Sequence, residues 1–90
     1  MIDGIDGIDE EIRRIVGSYG RLSVAVEDVG PEDNLFRLGM TSQATLNVML
    51  ALEEAFDIEF PEELLEGPIF ESFSSIETAI SGLVDQRRTA

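Results

Sequence analysis

Ninety residues are enough for one small domain, which buries only about 60–65% of its unfolded surface and so builds one modest core. Six arginines stand against 19 acids, for a net charge of −13, and the chain has no His, Cys, Lys or Trp. The usual general base, the thiol and amine nucleophiles and a Ser-His-Asp triad are therefore excluded, and nucleic acid and anionic membranes are disfavoured in favour of a partner with a basic surface.

The opening MIDGIDGIDEE is acidic and lacks the apolar core of a secretory signal. Its repeated Asp-Gly pattern does not have the alternating ligands and distal Glu of a calcium loop. No apolar run approaches the ~20 residues of a membrane span, and without cysteine there is no disulfide framework. A cytoplasmic location is expected. Ile5, Ile8, Ile12, Ile15 and Tyr19 recur at helical spacing, which predicts a first helix over about 5–19 with Arg13 and Arg14 on its polar side and Gly20 as its stop.

Residues 20–41 contain Gly30, Pro31 and Gly39 and no sustained helical period, so they read as a long loop. Loops of that length in compact domains are often functional. Val24, Val26, Val29, Leu35, Phe36 and Leu38 supply apolar anchors, and Asn34-Leu35-Phe36 suits one helical turn. A second helix follows over about 42–56, with Val48, Met49, Leu52, Ala55 and Phe56 as its buried stripe. Pro61 suits the first position of a short third helix over about 61–66, which Gly67-Pro68 ends. Ser74 and Glu77 fit a capping box for a last helix over about 74–86, lined by Phe73, Ile76, Ile80 and Leu83, with Arg87 and Arg88 at its C-terminal end. The sum is a single all-α domain over 1–90, a small four-helix bundle of three longer helices and one short one.

Ser42 stands at the start of the second helix, just after the loop. Taken alone, a serine there is an N-cap. Thr41 can take the capping role instead and leave Ser42 exposed on the first turn. The free N–H groups and positive dipole end of that turn favour a phosphodiester.

The segment from Asn34 to Pro61, NLFRLGMTSQATLNVMLALEEAFDIEFP, resembles the phosphopantetheine-site region of acyl carrier proteins, with Leu35-Phe36, Leu38-Gly39 and Ser42 carrying the likeness. The helix order and long first loop resemble that family as well, so the likeness spans nearly the whole chain. The resemblance implies a non-catalytic carrier. Its Ser42 would receive 4′-phosphopantetheine from coenzyme A through a phosphopantetheinyl transferase that binds the magnesium itself. The arm's thiol would hold an acyl or aminoacyl thioester for a loading ligase and for downstream acceptor enzymes. Leu46 and Leu50 would meet those partners, with core packing as the alternative for both, and Glu53 and Glu54 would engage a basic docking surface without a role in the fold. A monomer is expected.

Acyl carrier proteins usually have Asp-Ser-Leu at the site, where this chain has Thr41-Ser42-Gln43. Ala44 and Asn47 occupy positions where acids often line the early second helix, and the acidity moves downstream to Glu53, Glu54, Asp57, Glu59, Glu62, Glu63, Glu66 and Glu71. That displacement implies a specialised carrier with its own loading enzyme rather than a general fatty-acid carrier. The run FDIEFPEELL and the non-Asp residue before Ser42 are similar to small stand-alone carriers loaded with amino acids by synthetase-like ligases. The rival readings are a non-covalent acidic adaptor or inhibitor and a carrier fold that is never modified.

Overall fold

The computed structural model describes residues 4–61 and 68–89, the side chains of 4–6 and 86–89 excepted. Among the described residues there are three α-helices, in chain order α1 (Gly4–Tyr19), α2 (Ser42–Phe56) and α3 (Phe73–Thr89). Two short 3₁₀ turns, Val26–Asp28 and Pro68–Glu71, lie in the connections. There is no strand among the described residues, and the all-α architecture read from the sequence is the architecture found. The expected short helix over 61–66 falls, apart from Pro61, outside the described residues, as do the side chains of Ile5, Arg87 and Arg88.

Ile12, Ile15 and Val16 of α1 are buried against Val48, Met49 and Leu52 of α2 and Phe73, Ile76 and Ile80 of α3 in one apolar cluster. Tyr19 does not continue that stripe; it is 48% exposed. The apolar face passes from Val16 to buried Gly20, whose N–H donates to the Val16 carbonyl at 2.7 Å. A Cβ at position 20 would lie 2.7 Å from that same oxygen, so the close approach requires glycine. The chain then leaves the helix through Arg21 in the left-handed region (φ 57°).

Arg13 is also placed differently from its expected polar side. Its guanidinium lies 4.5 Å from the centroid of the Phe73 ring, and Nη1 donates to the carbonyls of Val26 (3.3 Å) and Val29 (3.0 Å). Asp9, one turn back, accepts from Nε at 3.3 Å. One long side chain therefore joins α1, the middle of the loop and α3, its stem covered and its head supplied with acceptors. Arg14 does follow the expectation. It is exposed and pairs with Glu11, and the hydrogen bond from Arg14 holds the Glu11 carboxyl below its ordinary value.

Among the loop's apolar residues, Val29 and Leu35 are buried and Val26 and Leu38 half-buried, but Val24 and Phe36 point to solvent. In α2, Val48, Met49 and Leu52 are buried as expected and Phe56 is half-buried. Ala44 joins the buried face, whereas Ala55 is exposed. The helix stops at Asp57 in the left-handed region (φ 56°, ψ 51°), where the N–H groups of Asp57 and Ile58 both return to the Glu53 carbonyl. Ile58 and Phe60 then turn back into the core, with the Phe60 ring edge-on to Phe70 at 5.3 Å between centroids.

The cap of α3 lies two residues before the expected Ser74–Glu77 box. Ser72 Oγ accepts from the Ser75 N–H (3.2 Å), and Ser75 Oγ accepts from the Ser72 N–H (3.1 Å), a reciprocal pair with serine in place of the usual Glu or Gln. The helix starts earlier because the Ser74 N–H is already spent on the Pro31 carbonyl at 2.9 Å, which pins the loop to this first turn.

Replacing Arg13 with Ala removes two charge-assisted bonds to carbonyls and the ring contact. The expected loss is about 2 kcal/mol of stability in a urea melt followed by far-ultraviolet circular dichroism. Arg14→Ala, at an exposed pair, is expected to leave the melt midpoint in place.

Candidate functional site

The approach to α2 is built by the loop folding back on itself. Asn34 Oδ1 accepts from the Arg37 N–H (3.2 Å), which starts the expected single helical turn, and Nδ2 donates to Glu71 Oε2 (3.2 Å). The Leu35 N–H donates to the Glu71 carbonyl at 2.7 Å, so fully buried Leu35 is fixed to the segment before α3. Ser23 donates both its N–H (2.8 Å) and its hydroxyl (3.0 Å) to the Leu38 carbonyl. Gly39 follows at φ 114°, with the Ser23 nitrogen 3.4 Å from where a Cβ would stand. A side chain there meets both strain and contact, and glycine meets neither. Met40 is then buried, and its N–H donates to the Leu35 carbonyl.

Thr41 is the N-cap, with φ −80° and ψ 172°, and its Oγ1 accepts from the Ala44 N–H at 3.1 Å. Ser42 is therefore the first helical residue. It is exposed, and its hydroxyl takes part in no hydrogen bond among the described residues. Beside it lies a cavity of about 210 Å³ lined by Phe36, Ser42, Thr45, Leu46, Met49 and Phe70. The first turn of α2 carries no acid, so nothing there opposes an incoming anion at the positive end of the helix. An accessible alcohol, a helix start that favours negative charge and an apolar hollow together suit a phosphate-linked prosthetic group.

The remaining site residues read from the sequence lie further along α2. Leu46 and Leu50 are 49% and 51% exposed, so neither belongs to the core. They are one turn apart on the same face. Glu54 is exposed, but Glu53 is half-buried, and its Oε2 accepts from the Phe60 N–H at 2.9 Å. Glu53 thus holds the returning segment after α2, a structural task that helical spacing does not reveal because its partner lies beyond the helix. Phe36, placed among the loop anchors by sequence, lines the cavity beside Ser42 instead. In a single helical turn, neighbours diverge by about 100°, so Leu35 inward sends Phe36 outward.

Residues 10–79 match the family described as phosphopantetheine attachment site. The chain is 38% identical over 79 residues to an aminoacyl carrier protein from Agrobacterium fabrum, spanning 88% of this chain and 95% of that one. Among solved structures it is similar to a chain in the crystal structure of an engineered Bradyrhizobium japonicum glycine:[carrier protein] ligase complexed with carrier protein from Agrobacterium tumefaciens and AMP. That match has a TM-score of 0.78 and 38% identity, covering 81% of this chain and 97% of that one. The solution structure of an Agrobacterium tumefaciens protein matches with TM-score 0.72 and 36% identity over 91% of this chain and 99% of that one. The chain belongs to the phosphopantetheine-dependent carrier proteins, and among them to the aminoacyl carrier protein family. Its cofactor is 4′-phosphopantetheine, and it is a carrier rather than an enzyme.

The two acids at the end of α2 separate in stability measurements. Glu53→Arg leaves the buried-side Phe60 N–H without its acceptor, and about 1–2 kcal/mol is expected to be lost in urea denaturation. Glu54→Arg is expected to change stability by no more than about 0.5 kcal/mol.

Proposed function

We propose that Ser42 is the attachment point of the prosthetic arm and that the cargo is an amino acid. The observation that carries the first half is the division of labour at the start of α2. Thr41 caps the helix, so the Ser42 hydroxyl has no structural duty and faces solvent. On a phosphopantetheinyl transferase, Ser42 Oγ attacks the β-phosphate of coenzyme A. The hydroxyl proton passes to the transferase, and adenosine 3′,5′-bisphosphate leaves. The attached arm supplies a terminal thiol on which an amino acid is held as a thioester. The exposed first turn keeps that arm outside the fold, and its tether gives the cargo a high effective concentration at any docked active site.

The amino-acid cargo is supported by the likeness to an aminoacyl carrier protein and to a chain from a glycine:[carrier protein] ligase complex. It fits the acid-free start of α2, which departs from the docking pattern of general fatty-acid carriers. The partners in this reading are a transferase, an amino-acid-loading ligase with a basic docking surface, and downstream acceptor enzymes. Leu46, Leu50 and exposed Glu54 form the docking face of a monomeric, cytoplasmic carrier. Among the described residues no helix is long and apolar enough to cross a membrane.

Intact-mass measurement after incubation with coenzyme A, magnesium and a broad-specificity transferase should give a gain of one phosphopantetheine, mapped to Ser42 and lost in a folded Ser42→Ala variant. No gain with two different transferases on a helical protein would favour an unmodified carrier fold or a non-covalent acidic module.

Glu54→Arg in the modified protein should raise the KM for aminoacyl loading several-fold at low salt, an effect that shrinks as salt is added. Loading kinetics equal to wild type at low salt would remove Glu54 from the docking face.

A further inference from the structure

Five large apolar side chains are exposed among the described residues: Tyr19, Val24, Phe36, Leu46 and Leu50. Four of them line two hollows on the α2 side of the molecule. Phe36 and Leu46 border the one beside Ser42, while Tyr19 and Leu50 border a second, shared with Asn47, Ala51 and Glu54. Leu46 and Leu50, one turn apart, bridge the two. The apolar face therefore does not end with α2; it crosses onto the last residue of α1.

We propose that Tyr19 is a docking contact for the amino-acid-loading ligase and forms, with Leu50, an anchor point at the far end of the face from Ser42. The proposal rests on the ligase reading above. Tyr19 is the last residue of α1 and stands outside the core because Gly20, not Tyr19, continues the buried stripe. A tyrosine ring offers a broad rigid apolar surface with a polar tip and few rotatable bonds, which is why tyrosine is enriched among the residues that dominate interface energetics.

Charge selects the occupant. Exposed Glu54 borders the same hollow, and Arg14, further back on α1, is already paired with Glu11. A second copy of a chain with net charge −13 would meet like charge across this face. A partner that brings an apolar contact rimmed by cations meets complementary charge. A contact far from Ser42 also suits a loading enzyme. It fixes the carrier's orientation without crowding the arm, so its loss weakens docking and leaves the chemical step alone.

The test uses the phosphopantetheinylated full chain and the Bradyrhizobium japonicum glycine:[carrier protein] ligase with glycine and ATP, at low ionic strength. Tyr19→Ala should raise the KM for the carrier about five- to tenfold with kcat unchanged, the pattern of lost uniform binding. Tyr19→Phe should restore loading to near wild type, and Val24→Ala, exposed elsewhere, should have no effect. Tyr19→Gln, which keeps a helix-favouring long side chain, should repeat the Tyr19→Ala result and guards against a folding defect in the smaller variant. An unchanged KM for both Tyr19→Ala and Tyr19→Gln, with wild type loaded normally, overturns the proposal alone. So does an equal rise in KM for Val24→Ala. A wild-type dimer in sedimentation that Tyr19→Ala dissolves would assign the face to a second copy and overturn it too. Failure of the ligase to load the modified wild-type protein would overturn the amino-acid reading and this inference with it.

Discussion

The Arg13 guanidinium is the contact on which the placement of the long loop depends. It supplies donors to the carbonyls of Val26 and Val29 and lies on the Phe73 ring, so three segments distant in sequence meet at one side chain. The Val26 carbonyl also takes the Val29 N–H within its 3₁₀ turn, whereas the carbonyl of buried Val29 lies outside any helix, and a buried backbone acceptor left unpaired is costly. With the middle of the loop fixed there, its second half is fixed by the bond from the Ser74 N–H, in the first turn of α3, to the Pro31 carbonyl and by the bond from the Leu35 N–H to the Glu71 carbonyl just before that helix. The position of Ser42 follows from this chain of attachments. Leu35 and Met40 go into the core, Gly39 makes the close pass by Ser23, and α2 starts two residues after Met40.

The first two residues of the α2 approach divide two tasks that a single serine could otherwise combine. A helix needs an acceptor for its first free N–H groups, and a carrier needs a hydroxyl with no other engagement. Thr41 meets the first need, which leaves the Ser42 hydroxyl unengaged for the attachment proposed above. The usual Asp before the serine in acyl carrier proteins is also a good N-cap, so threonine preserves the geometry of the helix start and removes only the charge. The departure at Thr41-Ser42-Gln43 therefore alters what a partner senses near the site without altering how the serine is held. Ala44 carries the same lesson. It is buried against the core, so an acid there would have to leave its hydration behind.

Periodicity made the helices legible because burial repeats along them: Ile12 and Ile15 in α1, Val48 and Leu52 in α2, and Ile76 and Ile80 in α3 are where spacing puts them. Ser42, the serine proposed to carry the arm, stands out in the sequence through its surroundings rather than through itself. What spacing could not reveal are the interactions between segments. Arg13 sits on a face that looks polar in a helical projection and becomes covered only when the loop and α3 arrive. Tyr19 has the correct spacing for the core but lies at a helix end, where a small glycine one residue later allows a tighter pass. Glu53 looks like one of a solvated acidic pair until the chain after α2 turns back and presents the Phe60 N–H. Ser72 and Ser75 replaced Ser74 and Glu77 as the cap because a backbone bond to Pro31 already occupies the Ser74 N–H.

These tertiary demands also narrow which of the acids shape recognition. A carboxylate committed to a backbone N–H is half-covered and held in one direction, so it keeps its charge but is less free to swing toward a partner's cation; Glu53 is in that position and Glu54 is not. With no acid on the first turn of α2, attraction near Ser42 comes from the overall field of a protein of net charge −13 rather than from a local pair. A diffuse field speeds encounter with any basic surface and discriminates weakly among them. Discrimination must then come from shape, and the exposed apolar side chains on the α2 side are the feature with shape to read. In the docking proposed above, the apolar contour of Phe36, Leu46, Leu50 and Tyr19 is what a partner would read, because the first turn of α2 offers no acid beside Ser42.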